Sequence, residues 1–468
     1  MALLSLLPAP ALRLMRKLLL RYTKRMSVAD LLEHAQHRAL RTALQAASNS
    51  AAYCTLLQEN KIDIFSLNMK TKLTSLPVLT KKNTFERFTL AQLARASSPE
   101  KIADVLTSSG RSGRSFGFKL TSRAQLETSW FDIDLGLQEA FNVDQFSTLL
   151  VNCLPMGVAF RSRAVTVANV SVREDMACAI LRDVGPSFKQ TLLCTDPLFI
   201  RRLLDEARAT GVDWQALNTS VIMGEEMLVP AQRDYLATRM GIDLTSDSTR
   251  FIGSSYGVGE LGLNLLFETR ETLQMQRAMP NPATTPALFC YNPMRCYLEI
   301  LAPDSEGFGE LCFTMNDPQA LISLPRYSTG DLGKQLTRQE TLEAAQRAGI
   351  SPPWLPVVAL KGRLHDHPTD LPSVEAIKTL LYTHPHIADQ LTGAFRLAKN
   401  AQGVAQLTLQ KQRSVTLEND ALHDQLQQLI AHYQLNPLEL ELLDAFEFPY
   451  RPLLDHERKF SYLAVKPD

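Results

Sequence analysis

A segment rich in glycine, serine and arginine, TSSGRSGRSFGFKLTSR at residues 107–123, has the composition of an anion-binding loop. Gly110 and Gly113 permit close approach of the backbone, so successive N–H groups can form a concavity for a phosphate. The hydroxyl groups add donors, and Arg111 and Arg114 add positive charge. The segment lacks the Gly-Lys pair of a GxxxxGK[ST] loop. Taken alone, it fits a phosphate-binding loop and a flexible surface loop equally well.

A second glycine-rich segment, SSYGVGELG at residues 254–262, contains a literal GxGxxG. In dinucleotide-binding units, an acidic residue about 20 residues further on binds the ribose. Residues 272–298 contain no Asp or Glu. The sequence therefore argues against a NAD site at this motif.

The cysteine and histidine residues do not follow a metal-site pattern. The seven cysteines are scattered without a CxxC pair, and Cys290 and Cys296 are poorly spaced for a zinc knuckle. His34 and His37 share a helical face, but no third ligand lies nearby in the sequence. We expect reduced, mostly buried thiols and no structural zinc.

The elements that position the glycine-rich segments follow an alternating pattern. Short apolar runs predict strands, and periodic stretches between them predict helices, which together indicate a mostly parallel sheet covered by helices. The strands are predicted at 147–154, 190–195, 219–224 and 250–255, with helices at 197–211 and 230–240. A β-rich region follows at 296–303 and 308–315, and SPPWLP at 351–356 indicates a hinge or linker.

The formal net charge of zero argues against a nucleic-acid partner, but it combines two unlike parts. Residues 1–29 contain six basic side chains and no acidic one, so the remaining 439 residues carry 43 basic and 49 acidic groups. Residues 11–26 predict a basic amphipathic helix, for which a docking helix, an interfacial membrane helix and a transit peptide are open alternatives. Residues 31–60 predict two further helices, interrupted near Asn49 and Ser50. No apolar run has membrane-spanning length, so we expect a cytoplasmic protein without a transmembrane segment.

Seven segments, taken together and in order, resemble motifs of the adenylate-forming superfamily, most closely of its phenylacetate–coenzyme A ligase-like branch. The TSSGRSGRS segment is similar to the phosphate loop TSSGTTGKP, and SSYGVGE is similar to YGxTE. The others are LTSLPVLTK (73–81), NCLPMGVAF (152–160), VIMGEEML (221–228), RYSTGDLG (326–333) and KGRLHD (361–366).

This resemblance implies a fold class and a domain organisation. The fold is α/β, with a large N-terminal adenylate-forming domain of mostly parallel sheets plus a β-rich subdomain, and a small mobile α+β C-terminal domain. The expected divisions are the basic segment at 1–30, the large domain at 31–360 and the small domain at 361–468. Because the basic segment precedes every matching motif, we expect it to lie outside the chemistry and to dock on the body, on an acidic carrier protein or on a membrane surface.

The resemblance also implies a reaction: a carboxylic acid attacks the α-phosphate of ATP to give an acyl adenylate and pyrophosphate, and a thiol then takes the acyl group. In that scheme Tyr256 packs on the adenine, Asp331 binds both ribose hydroxyls and Arg363 supports the ribose. The implied ATP-binding residues are Ser108, Ser109, Gly110, Ser112, Gly113, Arg114, Gly224, Glu225, Ser255, Tyr256, Gly257, Asp331 and Arg363.

Two residues are implied to be catalytic, Glu260 as the Mg²⁺ carboxylate and Lys459 as the lysine that bridges carboxylate and phosphate. Lys466 is the alternative lysine. The alternative interpretations are a helix cap for Glu260 and a turn residue for Asp331. The acid pocket is implied at Pro155, Met156 and Gly157.

The chain departs from the family pattern, and the departures leave several alternatives open. They are Arg111 and Ser115 in the loop, Met156 in the acid pocket, Gly259 before Glu260 and His365 in place of an acid. The acceptor is coenzyme A or the phosphopantetheine of a carrier protein; an amide-forming ligase and a non-catalytic protein that binds a nucleotide or acyl ligand are the alternatives. The expected partners are a small carboxylic acid, an acyl carrier protein and a second copy in a homodimer.

Overall fold

The computed structural model describes residues 7–95, 99–108, 116–155, 157–280, 286–363, 371–400, 402–413, 417–435, 437–448 and 460–463. The helices within these residues are α1 (Ala9–Arg25), α2 (Val28–Asn49), α3 (Ala51–Glu59), α4 (Leu90–Leu93), α5 (Arg123–Leu126), α6 (Ser129–Phe141), α7 (Glu174–Asp183), α8 (Phe199–Thr210), α9 (Pro230–Arg239), α10 (Arg270–Arg277), α11 (Arg338–Arg347), α12 (Val374–Thr383), α13 (Pro385–Ala388) and α14 (Asn419–His432). None of the helices in these ranges is long and apolar enough to cross a membrane.

Sixteen strands within the same ranges form three sheets of two, eleven and three strands. They are β1 (Ile102–Thr107), β2 (Phe118–Ser122), β3 (Thr148–Asn152), β4 (Thr166–Asn169), β5 (Gln190–Thr195), β6 (Thr219–Met223), β7 (Ile252–Val258), β8 (Gly262–Phe267), β9 (Ala287–Cys290), β10 (Cys296–Leu301), β11 (Gly309–Met315), β12 (Tyr327–Gln335), β13 (Val357–Arg363), β14 (Leu391–Lys399), β15 (Ala405–Lys411) and β16 (Leu438–Leu443).

The eleven-stranded sheet has the order β10-β11-β12-β13-β9-β8-β7-β6-β5-β3-β4 and consists of two halves. The strands from β7 to β4 pair in parallel, and those from β10 to β7 pair antiparallel. The four strands predicted from short apolar runs are β3, β5, β6 and β7, and every residue of β3 and β5 is buried. Such continuous burial is expected where helices cover both faces of a parallel sheet.

The C-terminal segment forms the three-stranded sheet β14-β15-β16 with α12, α13 and α14. It shares one hydrophobic core with the parallel half, because Leu380 and Tyr382 of α12 pack in the same buried cluster as Leu198 and Tyr235. Tyr235 and Tyr382 lie with ring centroids 5.3 Å apart. The parallel half and the C-terminal segment are therefore in extensive apolar contact.

Helix α1 docks on the body, as one of the three alternatives predicted. Leu12 packs in a small buried cluster with Trp130 and Phe131 of α6. Arg16 is buried and forms ion pairs with Asp134 and Asp144. The basic helix thus covers α6 instead of standing apart from the molecule.

Candidate functional site

One large cavity of about 2070 Å³ opens beside the carboxyl ends of the parallel strands. Motif segments that are far apart in the sequence meet there. The residues predicted for the site that line it are Ser108, Gly157, Gly224, Glu225, Ser255, Tyr256, Gly257, Glu260 and Asp331. In open α/β sheets this edge is where ligands generally bind.

The two residues implied for adenine and ribose contact each other. The Tyr256 hydroxyl donates a hydrogen bond to Asp331 Oδ2 over 2.6 Å. The Tyr256 ring stacks on Phe313, with centroids 6.3 Å apart and planes inclined by 25°. Tyr256 lies at the end of β7 and Asp331 lies in β12, so the two halves of the sheet fix this pair. Asp331 is also in β-register with Arg363, whose side chain lies outside the description.

Gly224, Glu225 and Glu226 continue directly from the carboxyl end of β6. The Gly224 N–H donates to the Thr195 carbonyl over 2.8 Å, which ties this turn to the neighbouring strand. Glu225 has a φ of 67°, in the left-handed region that side chains with a Cβ rarely occupy. Such local strain is frequent at ligand-binding sites, and here it turns the chain along the cavity wall.

The base of the predicted phosphate loop lies against Glu260. The Gly117 N–H donates to Ser108 Oγ over 2.9 Å, and the Ser108 N–H donates to the Gly117 carbonyl over 3.0 Å. Gly259 approaches this base so closely that a Cβ there would lie 2.7 Å from the Thr107 carbonyl oxygen. Six loop residues predicted to bind or adjoin ATP lie outside the described residues: Ser109, Gly110, Arg111, Ser112, Gly113 and Arg114.

Glu260 is buried, with 7% of its surface exposed, and it faces the cavity. Its carboxylate is a hydrogen-bond partner of Tyr327, and burial together with this carboxylate raises the pKa of that phenol well above its usual range. Lys81 of the LPVLTK segment places Nζ 3.4 Å from Ser108 Oγ. One carboxylate and one ammonium group therefore flank the loop base.

The predicted acid pocket is described only in part. Gly157 lines the cavity, Pro155 is buried without lining it, and Met156 lies outside the description. Helix α6 also lines the cavity, through residues that include Ser129, Asp132 and Gly136. Helix α1 contributes Leu19, Leu20 and Thr23 to the edge of the cavity as well; that the basic segment lies outside the chemistry stays a prediction.

The tail of the chain reaches the cavity through Tyr462. Its hydroxyl group donates to Glu226 Oε2 over 2.9 Å, and Lys378 Nζ lies 2.7 Å from the same oxygen. Lys459 and Lys466, the two candidate lysines, lie outside the described residues, as does His365.

Sequence reasoning missed three side chains that line this cavity. Glu226 and Lys378 form an ion pair across 152 residues, and Lys119 enters the cavity from β2. The sequence VIMGEE places Glu226 just after a predicted strand, but nothing in the residue spacing could identify Lys378 as its partner. Among the described residues, no group of three or more His, Cys, Asp or Glu side chains could hold a metal ion.

The sequence matches no family model and no characterised protein. The structure is similar to 2-hydroxyisobutyryl-CoA ligase in complex with R3-HIB-AMP in the postadenylation state, with a TM-score of 0.67, 14% identity and coverage of 94% of this chain and 90% of that chain. The open conformation of that enzyme with 2-HIB-AMP and CoA gives a TM-score of 0.55 at 13% identity, covering 94% and 93%. Its thioesterification state gives 0.54 at 14% identity, covering 94% and 90%. The predicted fold class is confirmed: the chain has the adenylate-forming fold of the acyl-CoA ligases.

Proposed function

We propose that the protein activates a carboxylic acid as an acyl adenylate at the expense of ATP and transfers the acyl group to a thiol. The observation that carries this proposal is the convergence of the motif segments in one cavity. The loop base at Ser108, the Tyr256–Asp331 pair and the Glu260 carboxylate come from separate elements and face the same space. The structurally similar ligase binds an acyl-AMP and CoA.

In the first step, a carboxylate oxygen of the acid forms a bond to the α-phosphorus, and the bond to the bridging oxygen breaks, which releases pyrophosphate. The barrier lies largely in bringing two anions together, so fixed hydrogen-bond donors and cations lower it. The Asp331 carboxylate would accept hydrogen bonds from the ribose. Ser108 and the loop that follows it would hold the phosphates, and Lys81 would add positive charge there.

The donor set around Glu260 fits a magnesium ion that is shared with phosphate oxygens. A single carboxylate facing a phosphate-binding loop is a usual arrangement, because Mg²⁺ prefers oxygen ligands and keeps several waters. Glu260 would hold the ion, which would neutralise charge on the leaving pyrophosphate. Lys459 is proposed as the lysine that bridges carboxylate and phosphate; Tyr462, three positions later, contacts the cavity wall at Glu226.

In the second step, a thiol attacks the acyl carbonyl carbon and AMP leaves. We propose coenzyme A as the acceptor, with the phosphopantetheine thiol of a carrier protein as the alternative. The same proposal includes a division into domains at 31–360 and 361–468, with a mobile small domain. It also includes a homodimer and a cytoplasmic location.

The test is acid-dependent exchange of labelled pyrophosphate into ATP, across a panel of aryl and acyl acids. Exchange with at least one acid, lost in Glu260→Gln, is the expected result. ATP binding by calorimetry without exchange for any acid would instead favour the non-catalytic protein. Incubation of the active enzyme with coenzyme A, a carrier protein or amines then identifies the acceptor, and an amide product would contradict the thiol ligase.

We also propose that the exposed face of α1 contacts an anionic membrane surface. Leu14, Leu18 and Tyr22 form an apolar stripe, with more than half of the surface of each residue exposed. A second exposed stripe carries basic residues at a spacing of four: Arg13, Lys17, Arg21 and Arg25. Apolar and basic stripes side by side are typical of interfacial helices.

Cosedimentation with vesicles tests this contact. We expect binding to vesicles of phosphatidylcholine with 30% phosphatidylserine, weakened at least tenfold by serine at positions 14, 18 and 22. Serine in place of the exposed Phe65 and Phe446 is the matched control and leaves binding unchanged. Equal binding of both variants would overturn the proposal.

A further inference from the structure

The turn that follows β6 has a backbone conformation that needs support from its surroundings. The Glu226 N–H donates to the Gly224 carbonyl over 2.7 Å, which closes a three-residue turn around Glu225, where φ is 67°. A three-residue turn with a positive φ at its centre is rare and strained. Because strained backbone persists only where the surrounding structure fixes it, the contacts of this turn show what keeps it in shape.

Glu226, the last residue of the turn, is held by the C-terminal segment. Lys378 Nζ of α12 lies 2.7 Å from Glu226 Oε2, and the Tyr462 hydroxyl group donates to the same oxygen over 2.9 Å. Only 5% of the Lys378 side chain and 12% of the Glu226 side chain are exposed. Lys378 Nζ also lies 4.5 Å from the centre of the Tyr462 ring. The three side chains therefore form one compact contact.

The two partners of Glu226 are fixed within the C-terminal segment. The Leu397 N–H of β14 donates to the Tyr462 carbonyl over 2.8 Å, and the Phe395 and Tyr462 ring centroids lie 4.5 Å apart. Next to Lys378 on α12, Ile377 is fully buried in the core. The Glu226 carboxylate thus meets two donors whose positions do not depend on the turn.

Lys378 also balances charge at the wall of the cavity. Glu225 and Glu226 both line the cavity proposed to hold the ATP polyanion. Burial raises the pKa of nearby Asp196 to about 7, and the negative charge of Glu226 adds to this effect, so acidic groups are concentrated at this edge. Without Lys378, the Glu226 carboxylate would lose its buried cation and repel the phosphates more strongly.

On the basis of the proposed function, we infer that Lys378 and Tyr462 are positioning residues for ATP. They act through Glu226: they hold the turn at 224–226 in the shape that binds the nucleotide, and Lys378 neutralises the Glu226 carboxylate. The C-terminal segment thereby completes a wall of the nucleotide site that the large domain does not hold in shape alone.

The test is calorimetric binding of ATP, which does not depend on turnover. We expect Lys378→Met to lower the affinity at least about tenfold, and Lys378→Arg, which keeps the charge, to recover most of it. Tyr462→Phe loses only the hydroxyl group and should cost about fivefold. Asp389→Ala is the matched control, because it removes the hydrogen bonds from Tyr235 and Arg239 in the same contact between segments but outside the cavity. It should change the affinity less than about twofold.

A double-variant cycle shows whether Lys378 acts through Glu226. Glu226→Met/Lys378→Met leaves neither charge of the pair unpaired, so it keeps the test open if Lys378→Met alone does not fold. We expect this double variant to bind ATP less than about twofold more weakly than Glu226→Met, since residues that act as a unit are not additive. In pyrophosphate exchange, the KM for ATP should rise in Tyr462→Phe while the KM for the acid stays within about twofold of that of the parent.

Three results would overturn the inference. They are unchanged ATP affinity in Lys378→Met and Tyr462→Phe, an equal loss in Asp389→Ala, and a full effect of Lys378→Met in the Glu226→Met background, which would mean that the lysine binds ATP directly. Pyrophosphate exchange together with any of these leaves the proposed function standing. ATP affinities in the expected order without exchange for any acid would do the reverse, and a parent protein that binds no ATP would overturn both.

Discussion

The proposed nucleotide site depends on Tyr256 and Asp331, and the contribution of each side chain to ATP affinity can be tested separately. Replacing Asp331 by Asn removes a carboxylate that would accept from the ribose, and we expect ATP affinity to fall at least tenfold. Tyr256→Phe keeps the ring and loses the hydrogen bond of 2.6 Å, so it should cost about 1 kcal/mol, or roughly fivefold in affinity. Calorimetry with ATP measures both effects. The exposed Asp424→Asn is the control, and an equal loss there would refute the assignment.

Asp196 gives the fold a pH dependence at a single residue. Its Oδ1 accepts hydrogen bonds from the N–H groups of Leu198 and Phe199, and burial raises its pKa to about 7. This pKa is higher than that of an aspartate in the unfolded chain, so between about pH 4 and 7 the unfolded chain binds fewer protons than the folded one. The carboxyl of Asp196 therefore makes the protein less stable as pH rises.

Asp196→Asn keeps the acceptor oxygen and removes the titration. We expect the free energy of unfolding of this variant, relative to the parent, to increase by on the order of 2 kcal/mol between pH 5 and 8. Urea unfolding at the two pH values measures it. Asp213 accepts the same kind of hydrogen bonds in an exposed turn, so a similar change in Asp213→Asn would contradict the role of burial.

How far the sequence predicts the site is clear at Gly259 and Lys119. The order of the motifs predicted that Ser108, Tyr256, Glu260 and Asp331 belong to one site, and all four line the same cavity. Gly259 departs from the threonine of the family pattern, and a Cβ there would clash with Thr107, so the glycine matches the close approach of the loop base. Lys119 could not be recognised as a cavity residue, because its ammonium group lies against the backbone of Gly262, far away in the sequence, and no local pattern encodes that approach.

At the scale of elements, the sequence predicted those helices and strands that follow from the local spacing of apolar and turn residues. The break between α2 and α3 and the strands of the parallel half followed from periodicity and turn residues. The single sheet of eleven strands could not be predicted in this way. Strand β9 pairs with β13, about 70 residues later, and no local spacing specifies that register. Helix α1 was predicted as a helix, but its place on α6 depends on Arg16 meeting Asp134, 118 residues away.

The docking of α1 rests on Arg16, whose guanidinium donates two hydrogen bonds to Asp144 and lies beside the buried Asp134. Arg16 NH1 lies 3.6 Å from Asp134 Oδ2, and both side chains are almost fully buried. Arg16→Met leaves the Asp134 carboxylate without its cation, so we expect a loss of about 3–5 kcal/mol in the free energy of unfolding. Burial raises the pKa of Asp134, and hydrogen bonds from Ser162 and the Arg163 N–H lower it, with a smaller contribution from Arg16, so without Arg16 the carboxyl protonates somewhat more readily. The loss should therefore be smaller at pH 5 than at pH 8.

Arg13→Met is the control for this prediction. Its guanidinium lies 3.9 Å from Asp144 with 60% of the side chain exposed, and such a pair contributes under about 1 kcal/mol. Urea unfolding of both variants compares them directly. If Arg16→Met is as stable as Arg13→Met, α1 is not held by the pair, and removal of residues 1–26 would then be expected to leave the fold intact.

For the whole molecule, the contact between the C-terminal segment and the parallel half is the feature that bears on the proposed role of the tail. Tyr462 and Lys378, both from that segment, bind the Glu226 carboxylate at the end of β6. This arrangement brings the end of the chain to the cavity that would hold ATP. In the proposed mechanism, Lys459 acts in forming the adenylate, where a cation between two anions lowers the barrier most, and not in the later attack of the thiol on a neutral carbonyl.

Lys459→Ala should therefore separate the two steps. We expect pyrophosphate exchange to fall at least 100-fold, about 2.7 kcal/mol in the barrier, while thioester formation from chemically prepared acyl adenylate changes less than threefold. Lys466→Ala, in the same tail, is the matched control and should leave both rates near those of the parent. If both steps fall together in Lys459→Ala, the lysine supports the docking of the tail and not the first step, and if only Lys466→Ala loses exchange, the assignment moves to that residue.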